Sequence, residues 1–397
     1  LDGVNMLSVE DARARMLAEI APLGVEAVAL AQAIGRVLAE DVAAIRDQPP
    51  FTASAMDGWA MRAADTPGTL AIVGESAAGR GFKGAVEAGQ AVRIFTGAAV
   101  PPGLDAIVIQ EDASREGDAL TVPAATPGEW FRPAGGDFRA GQTLLRAGVR
   151  IDPWRLSLAA AAGRGEVLVQ RRPRVAFLST GEEIVQGPAT PGPYQVFDAG
   201  TPALIAMAEG WGVVAERCTP VRDRLEDTIA AIRAADADLI VTIGGASVGD
   251  HDLVRAAAEA LGASFKVGSI AVRPGKPTFF ATLPDGRRLL GLPGNPASCF
   301  VCAELFLRPI AAAYQAAEAL PNLKPARLAV ALGENGGREH WMRATLSADG
   351  ASVTPYREQD SSLMSVFALS TVLLKRQAGA PAAAAGDEAW VLPLERF

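Results

Sequence analysis

A chain of 397 residues is too long for one ordinary core, so about two to four domains are expected. With 49% hydrophobic and 21% charged residues it has the balance of a folded globular protein, not of a disordered one. Lys and Arg number 37 against 45 Asp and Glu, a net charge of -8 that argues against a non-specific nucleic-acid binder, which needs a broad positive field.

Any anion pocket must then be local, built from backbone N–H groups and a few cations. Three cysteines and two histidines are too few for a disulfide framework or a soft-metal site. Cys299 and Cys302 form a C-x-x-C pair, read here as two small residues on a buried helix face because Phe300, Val301, Leu305 and Phe306 surround them. Residues 1–20 lack the basic-then-apolar layout of a secretory leader, and the most apolar run noted, 156–163, is short and closed by Arg155 and Arg164. The expected address is the cytoplasm, with no membrane and no nucleic-acid partner.

In chain order, Ser8 caps a helix with an acidic first turn that should run to about residue 20. A second helix is expected over 28–34, stopped by Gly35. Between 49 and 137, apolar runs at 69–73, 91–96, 106–110 and 119–123 are separated by Gly, Pro and Asp, which predicts a β-rich insertion. A helix over 153–162 and a strand over 166–170 follow. Strands at 174–179, 213–219 and 238–243 then alternate with helices at 201–209, 225–235 and 251–261. That rhythm predicts a mostly parallel sheet with helices on both faces, and such sheets hold ligands beyond the carboxyl ends of their strands. A helix is expected from Pro309 to about residue 320, then a linker at 321–325. The tail alternates apolar and polar residues at 327–332, 341–346, 351–355 and 389–394, predicting a small β-domain with a loop at 378–386.

The chemistry-bearing residues fall at the ends of the predicted parallel strands. Gly244-Gly245-Ala246-Ser247-Val248-Gly249-Asp250-His251-Asp252 lies between a strand and a helix, where glycine backbone N–H groups and a helix N-terminus can converge on an anion. Its spacing fits neither a Walker loop nor a dinucleotide fingerprint. Arg273-Pro274-Gly275-Lys276-Pro277 offers two cations on a stiff turn, and is equally readable as a solvated surface turn. Gly291-Leu292-Pro293-Gly294-Asn295-Pro296-Ala297-Ser298 predicts an Asn295 cap and Pro296 in the first helical turn. Ser179-Thr180-Gly181-Glu182-Glu183, with Asp198, Asp223, Asp250 and Asp252 at similar positions, suggests Mg²⁺ bridging to phosphate. Ser54-Ala55-Met56-Asp57-Gly58-Trp59-Ala60, Thr96-Gly97-Ala98 and residues 132–137 read from chemistry alone as polar turns.

Taken together and in order, the motifs at 54–60, 96–98, 179–183, 244–249, 274–277 and 292–296 resemble the molybdopterin molybdenumtransferase family, of the bacterial MoeA type related to the C-terminal domain of gephyrin. The resemblance implies a multidomain α/β plus β fold. Its parts are a discontinuous elongated domain (7–45 and 138–170), a β-rich inserted domain (46–137), a molybdopterin-binding α/β domain (171–322) and a C-terminal β-barrel-like domain (323–397). It implies Mg²⁺-dependent insertion of molybdate into adenylylated molybdopterin with release of AMP, in a homodimer whose site is shared between subunits. Molybdopterin adenylyltransferase and molybdoenzyme chaperones are the implied partners.

The implied catalytic set is Asp57, Thr96, Asp137, Glu183, Asp223 and Asp252. Thr180, Gly181, Asp198, Gly244, Gly245, Ser247, Gly249, Lys266, Arg273, Lys276, Pro293, Pro296 and Ser298 are the implied ligand contacts, and Glu182, Glu183, Asp223 and Asp250 the implied metal ligands. The chain departs from the family pattern at Phe197-Asp198-Ala199-Gly200, where Tyr-Asp-Ser-Asn is usual, at Glu182, where the family has Asp, and at Ile243, where a Ser is common. It also lacks the usual Ala-Asn-Gly-Leu character at Ala368-Leu369-Ser370-Thr371. A molybdopterin adenylyltransferase and a non-catalytic pterin-binding scaffold are the alternative readings.

Overall fold

The structure, a computed structural model, describes residues 6–245, 253–318 and 320–394. Its first helix, Val9–Leu17, is capped by the Ser8 hydroxyl accepting the Asp11 N–H. It ends three residues before the expected stop. Residues 28–34 are not a helix. Val25–Ala29 is a strand paired antiparallel with Glu166–Gln170, and only a 3₁₀ turn, Leu30–Gln32, follows. A partner some 140 positions away in sequence supplies the hydrogen bonds that local propensity would have spent on a helix.

The insertion is a six-stranded sheet in the order Ala106–Ile109, Gly58–Met61, Gln90–Ile94, Gly68–Ser76, Ala119–Val122, Ser114–Glu116. Both faces are covered. Trp59, Met61 and Val108 join one apolar cluster while Ala60, Val92 and Ile107 join another.

Residues beyond Arg174 form the predicted α/β layer. Its sheet runs Val214–Arg217, Arg174–Ser179, Leu239–Ile243, Arg288–Leu292, Phe279–Thr282, Ser264–Val267. The first four strands are parallel, Phe279–Thr282 runs against them, and Ser264–Val267 pairs antiparallel with it at the edge. Alternation along Leu239–Ile243 builds both cores: Leu239, Val241 and Ile243 face the helices Gly200–Gly210 and Pro296–Cys302, and Ile240 faces Leu225–Ala234 and Leu253–Ala260. From the strand Arg174–Ser179 the chain first adds a neighbour on one side and then crosses to Leu239–Ile243 on the other. That reversal opens a crevice between the two strand ends.

The expected helix from Pro309 to residue 320 is part of a longer one. Helical turns run from Pro296 through a π-helical segment, Ala303–Leu307, to Tyr314. Pro309 is accommodated because the wide turn before it relieves the ring clash with the preceding carbonyls. This 19-residue helix, mean hydropathy 1.3, is long and apolar enough to cross a membrane, which corrects the expectation that no stretch approaches that length. Its most apolar window is 89% buried inside the fold, as a core helix should be. Cys299 and Cys302 sit in it, unpaired and buried, and burial pushes the Cys302 thiol up to about 12. A redox dithiol is therefore disfavoured.

The tail closes into a five-stranded barrel of Glu339–Leu346, Ser352–Pro355, Lys324–Leu328, Glu388–Pro393 and Val372–Arg376, the last pairing back to the first. The strand Val372–Arg376 and the helix Met364–Leu369 were not foreseen. A short strand, Val272–Arg273, joins the barrel edge and sets Arg273 opposite His340.

Gly291 lies in the central strand Arg288–Leu292, where a Cβ would fall 2.0 Å from the Phe279 ring. Gly291→Ala should destabilise the protein by about 1–3 kcal/mol through overpacking. Urea denaturation measures it, and a loss of only a few tenths would contradict the packing described.

Candidate active site at the switch point of the α/β sheet

The crevice is a cavity of about 710 Å³ at the carboxyl ends of the parallel strands. Its floor is backbone. Gly244 and Gly245 have φ of +87° and +62°, and added Cβ atoms would lie 3.0 Å from the Thr180 carbonyl oxygen and 2.7 Å from Val254 Cγ2. At Gly294 a Cβ would lie 3.3 Å from the Gly244 Cα. Three glycines thus let the ends of two strands meet without side chains, leaving a surface of peptide groups suited to an anion.

Polar groups line the walls. The strand Arg174–Ser179 delivers Ser179, whose buried hydroxyl has no partner among the described residues. An orphaned hydroxyl at a cavity floor is costly unless a ligand or water satisfies it. Ser179 belongs to the 179–183 run that the sequence marks, although no individual ligand role was expected of it. Thr180, Gly181, Glu183, Asp198, Asp223, Pro293 and Pro296 line the cavity, together with Phe197, Ala199, Gly200 and Asn295.

Gly181 has φ +127°, and a Cβ there would lie 2.5 Å from a Glu183 carboxylate oxygen. Glycine at that position lets the carboxylate fold back over the turn. Asp223 accepts the Glu182 N–H at 3.3 Å, tying the turn to the loop 218–224. Among the described residues no three His, Cys, Asp or Glu side chains converge as a metal cluster. Of the expected metal set, Glu183 and Asp223 reach the cavity, Glu182 contributes its backbone and not a lining side chain, and Asp250 lies outside the described residues, as do Ser247, Gly249 and Asp252.

The departure at 197–200 has a structural compensation. Ala199 cannot cap the helix Gly200–Gly210 with a side chain, but Asp198 does, its Oδ1 accepting the Thr201 N–H at 3.0 Å. Its Oδ2 receives Arg217 NH2 at 2.8 Å. Asn295 shows the reverse. It occupies the cap position of Pro296–Cys302 without bonding that helix, and donates its amide to the Ser361 hydroxyl at 3.0 Å. The Ser361 carbonyl accepts the Ala297 N–H, so a loop of the barrel closes this helix end.

Several expected contacts lie elsewhere. Lys266 stands on the antiparallel edge and pairs with Glu19 at 3.2 Å, away from the cavity lining. Ser298 is buried one turn into its helix, and of the 273–277 turn it is Pro277 that lines the cavity, with Arg273 and Lys276 exposed. Asp57, Thr96 and Asp137 do not line the cavity of their own chain.

Asp57 and Thr96 do meet each other. Asp57 Oδ1 accepts both the Thr96 N–H at 2.7 Å and its hydroxyl at 2.8 Å. These two bonds, the backbone one first, hold the Asp57 carboxyl below the usual carboxylate range. Next to it Gly58 is pressed on the Val108 carbonyl, where a Cβ would be 2.2 Å away. Arg93 clamps the same loop: its guanidinium donates to the Gly58 carbonyl at 3.1 Å and to Gln110 at 2.7 Å, and stacks over Trp59 and Phe95 at 5.0 and 4.9 Å. Asp137 is exposed, its N–H donating to the Gln48 carbonyl.

Because the folded-state Asp57 pKa is lowered, the stabilisation carried by its bonds is complete above the ordinary carboxyl range and is lost as pH falls through the lowered value. Thr96→Val removes the hydroxyl donor and should move the Asp57 titration to higher pH in carbon-13 carboxyl NMR. An unmoved titration would contradict the assignment.

Family models for the MoeA N-terminal region (domains I and II), a probable molybdopterin-binding domain and the MoeA C-terminal region (domain IV) match residues 7–163, 176–313 and 325–394. The chain is 35% identical over 377 residues to a molybdopterin molybdenumtransferase of Synechococcus elongatus, covering 91% of this chain and 93% of that one. A molybdopterin molybdenumtransferase of Nostoc sp. is 38% identical over 306 residues, 72% of this chain and 68% of its own. Among solved structures, a molybdopterin biosynthesis MoeA protein from Pyrococcus horikoshii superposes with a TM-score of 0.84 at 29% identity, covering 99% of this chain and 100% of that one. On the identity shared across nearly the whole chain, this protein belongs to the molybdopterin molybdenumtransferase family of enzymes.

Proposed function

We infer that the protein inserts molybdate into adenylylated molybdopterin and releases AMP, as a cytoplasmic homodimer whose sites are completed between copies. The observation that carries this reading is the division of the polar machinery. One part is a glycine-floored cavity lined by Glu183, Asp198 and Asp223, with a Ser179 hydroxyl that has no partner among the described residues. The other is the Asp57–Thr96 pair, which belongs to the insertion and lies off its own chain's cavity.

On this reading the pyrophosphate of the substrate lies against the Gly244–Gly245 backbone, with the Ser179 and Thr180 hydroxyls as further donors. Glu183 and Asp223 are the lining residues that would hold Mg²⁺, a hard cation that takes carboxylate oxygens. When bound, Mg²⁺ would screen the charge of the phosphates during cleavage. Asp57, kept ionised by Thr96, would orient a water or hydrogen-bond donor of the reacting group from the facing copy. The acidic protein carries no broad positive field, so recognition of the anion rests on oriented peptide groups, with Arg273 and Lys276 exposed on the turn whose Pro277 lines the cavity.

Purified protein given adenylylated molybdopterin, molybdate and Mg²⁺ should release AMP, and Asp57→Ala should lower the rate by about a hundredfold or more, the scale of a lost positioned polar group. Folded dimer that releases no AMP would overturn the reading. ATP-dependent adenylylation by the chain alone would favour the adenylyltransferase alternative, and binding without turnover the scaffold.

A further inference from the structure

Three of the six tryptophans, Trp59, Trp211 and Trp341, are buried in the apolar clusters. Trp130 differs from them in burial and in backbone conformation. It is 40% exposed, belongs to none of the apolar clusters, and its indole N–H has no hydrogen-bond partner among the described residues. Its backbone has φ +63°, a left-handed conformation that is a strained outlier for so bulky a residue.

The strain is held in place from both sides. Gly128 N–H donates to the Asp105 carbonyl at 2.7 Å, and Glu129 and Phe131 close the turn on Thr126 and Gly128. The next two residues, Phe131–Arg132, pair antiparallel with Ala53–Ser54, Phe131 opposite Ser54. One step along, the Trp130 carbonyl accepts the Ala55 N–H at 2.7 Å. Trp130 is therefore fixed across from Ala55, two residues before Asp57. A large aromatic held in a strained conformation, contributing little to the core and set beside a polar site residue, is the pattern of a residue positioned for a ligand.

We propose that Trp130 is a substrate-contacting residue whose indole stacks on a planar heteroaromatic ring of the ligand held in the facing copy's cavity. This rests on the reading that Asp57 completes a partner's site. Two rings of the substrate have the required chemistry, the pterin and the adenine, and separate inhibition arms distinguish them.

The experiment compares Trp130→Phe, Trp130→Ala and Trp130→Gly in the full-length protein. Both Ala and Gly remove the ring, but only Gly relieves the left-handed strain. The thermal midpoint should separate the two, with W130G above W130A. Their KM for adenylylated molybdopterin should rise alike, about tenfold, the scale of one lost stacking contact, while kcat stays within about threefold. W130F should keep most of the affinity. Inhibition by AMP and by neopterin, measured separately, identifies the ring: the one that stacks is the one whose inhibition constant rises.

Activity that follows stability, with W130G recovering what W130A loses, would overturn the proposal in favour of a structural role. So would an unchanged KM in both, unchanged inhibition constants for both fragments, or a loss of dimer by gel filtration that accounts for the loss of affinity. Asp57→Asn is run beside them. If the wild type turns over and Asp57→Asn is impaired while the Trp130 variants are normal, only this inference falls; if Asp57→Asn is also normal, the composite site falls with it.

Discussion

The site depends on a close approach of backbones that only glycine permits. Just beyond the paired ends of the strands Arg174–Ser179 and Leu239–Ile243, Gly244, Gly245 and Gly294 approach so closely that added Cβ atoms would press on the Thr180 carbonyl, Val254 and the Gly244 backbone. Two consequences follow from that packing. The cavity floor presents peptide groups instead of side chains, and the residues just beyond the strand ends, Ser179 to Glu183 on one side and Pro293 to Pro296 on the other, are forced to line it. A parallel sheet whose strand order reverses at this point provides the opening, and the glycines keep it from being filled.

The rest of the molecule braces this crevice. The barrel meets its lining through Ser361, which bonds Asn295 and satisfies the helix end that Asn295 leaves uncapped, and it takes the strand Val272–Arg273 onto its edge. Asp198 performs the same service for the helix Gly200–Gly210, so the loss of Ser and Asn at 199 and 200 leaves that helix end still capped. On the insertion, Arg93 fixes the Gly58 carbonyl and stacks on two aromatic rings, so the Asp57 carboxylate is presented from a rigid loop. Positioning by neighbours of this kind is what a site assembled from distant segments requires.

What could be read in advance follows the range of the interactions involved. The runs at 174–179 and 238–243 are apolar on both faces and bounded by glycine, so strand identity, parallel pairing and the location of the crevice were all legible. So was the insertion, whose short runs are punctuated by Gly, Pro and Asp. Residues 28–34 were misread because the partner strand, Glu166–Gln170, is remote in sequence. Pro309 seemed to begin a helix because nothing local announces the π-helical turn that admits it. The family resemblance implied Lys266 as a ligand contact, and in the fold it pairs with Glu19, nearly 250 residues earlier. Asn295 was a correct cap position, but its side chain is claimed by Ser361 of another domain. Local chemistry marks positions, and long-range contacts decide how they are used.

The central claim is that two copies each contribute half of one site, and subunit complementation tests it most directly. Asp57→Ala chains and Asp223→Ala chains, each inactive alone, are mixed, allowed to exchange, and assayed for AMP release. A composite site predicts recovered activity, because a mixed dimer holds one site carrying both substitutions and one carrying neither. No recovery, with mixed dimers demonstrated by differential tagging, would place Asp57 and Asp223 in the same copy's site and contradict the account.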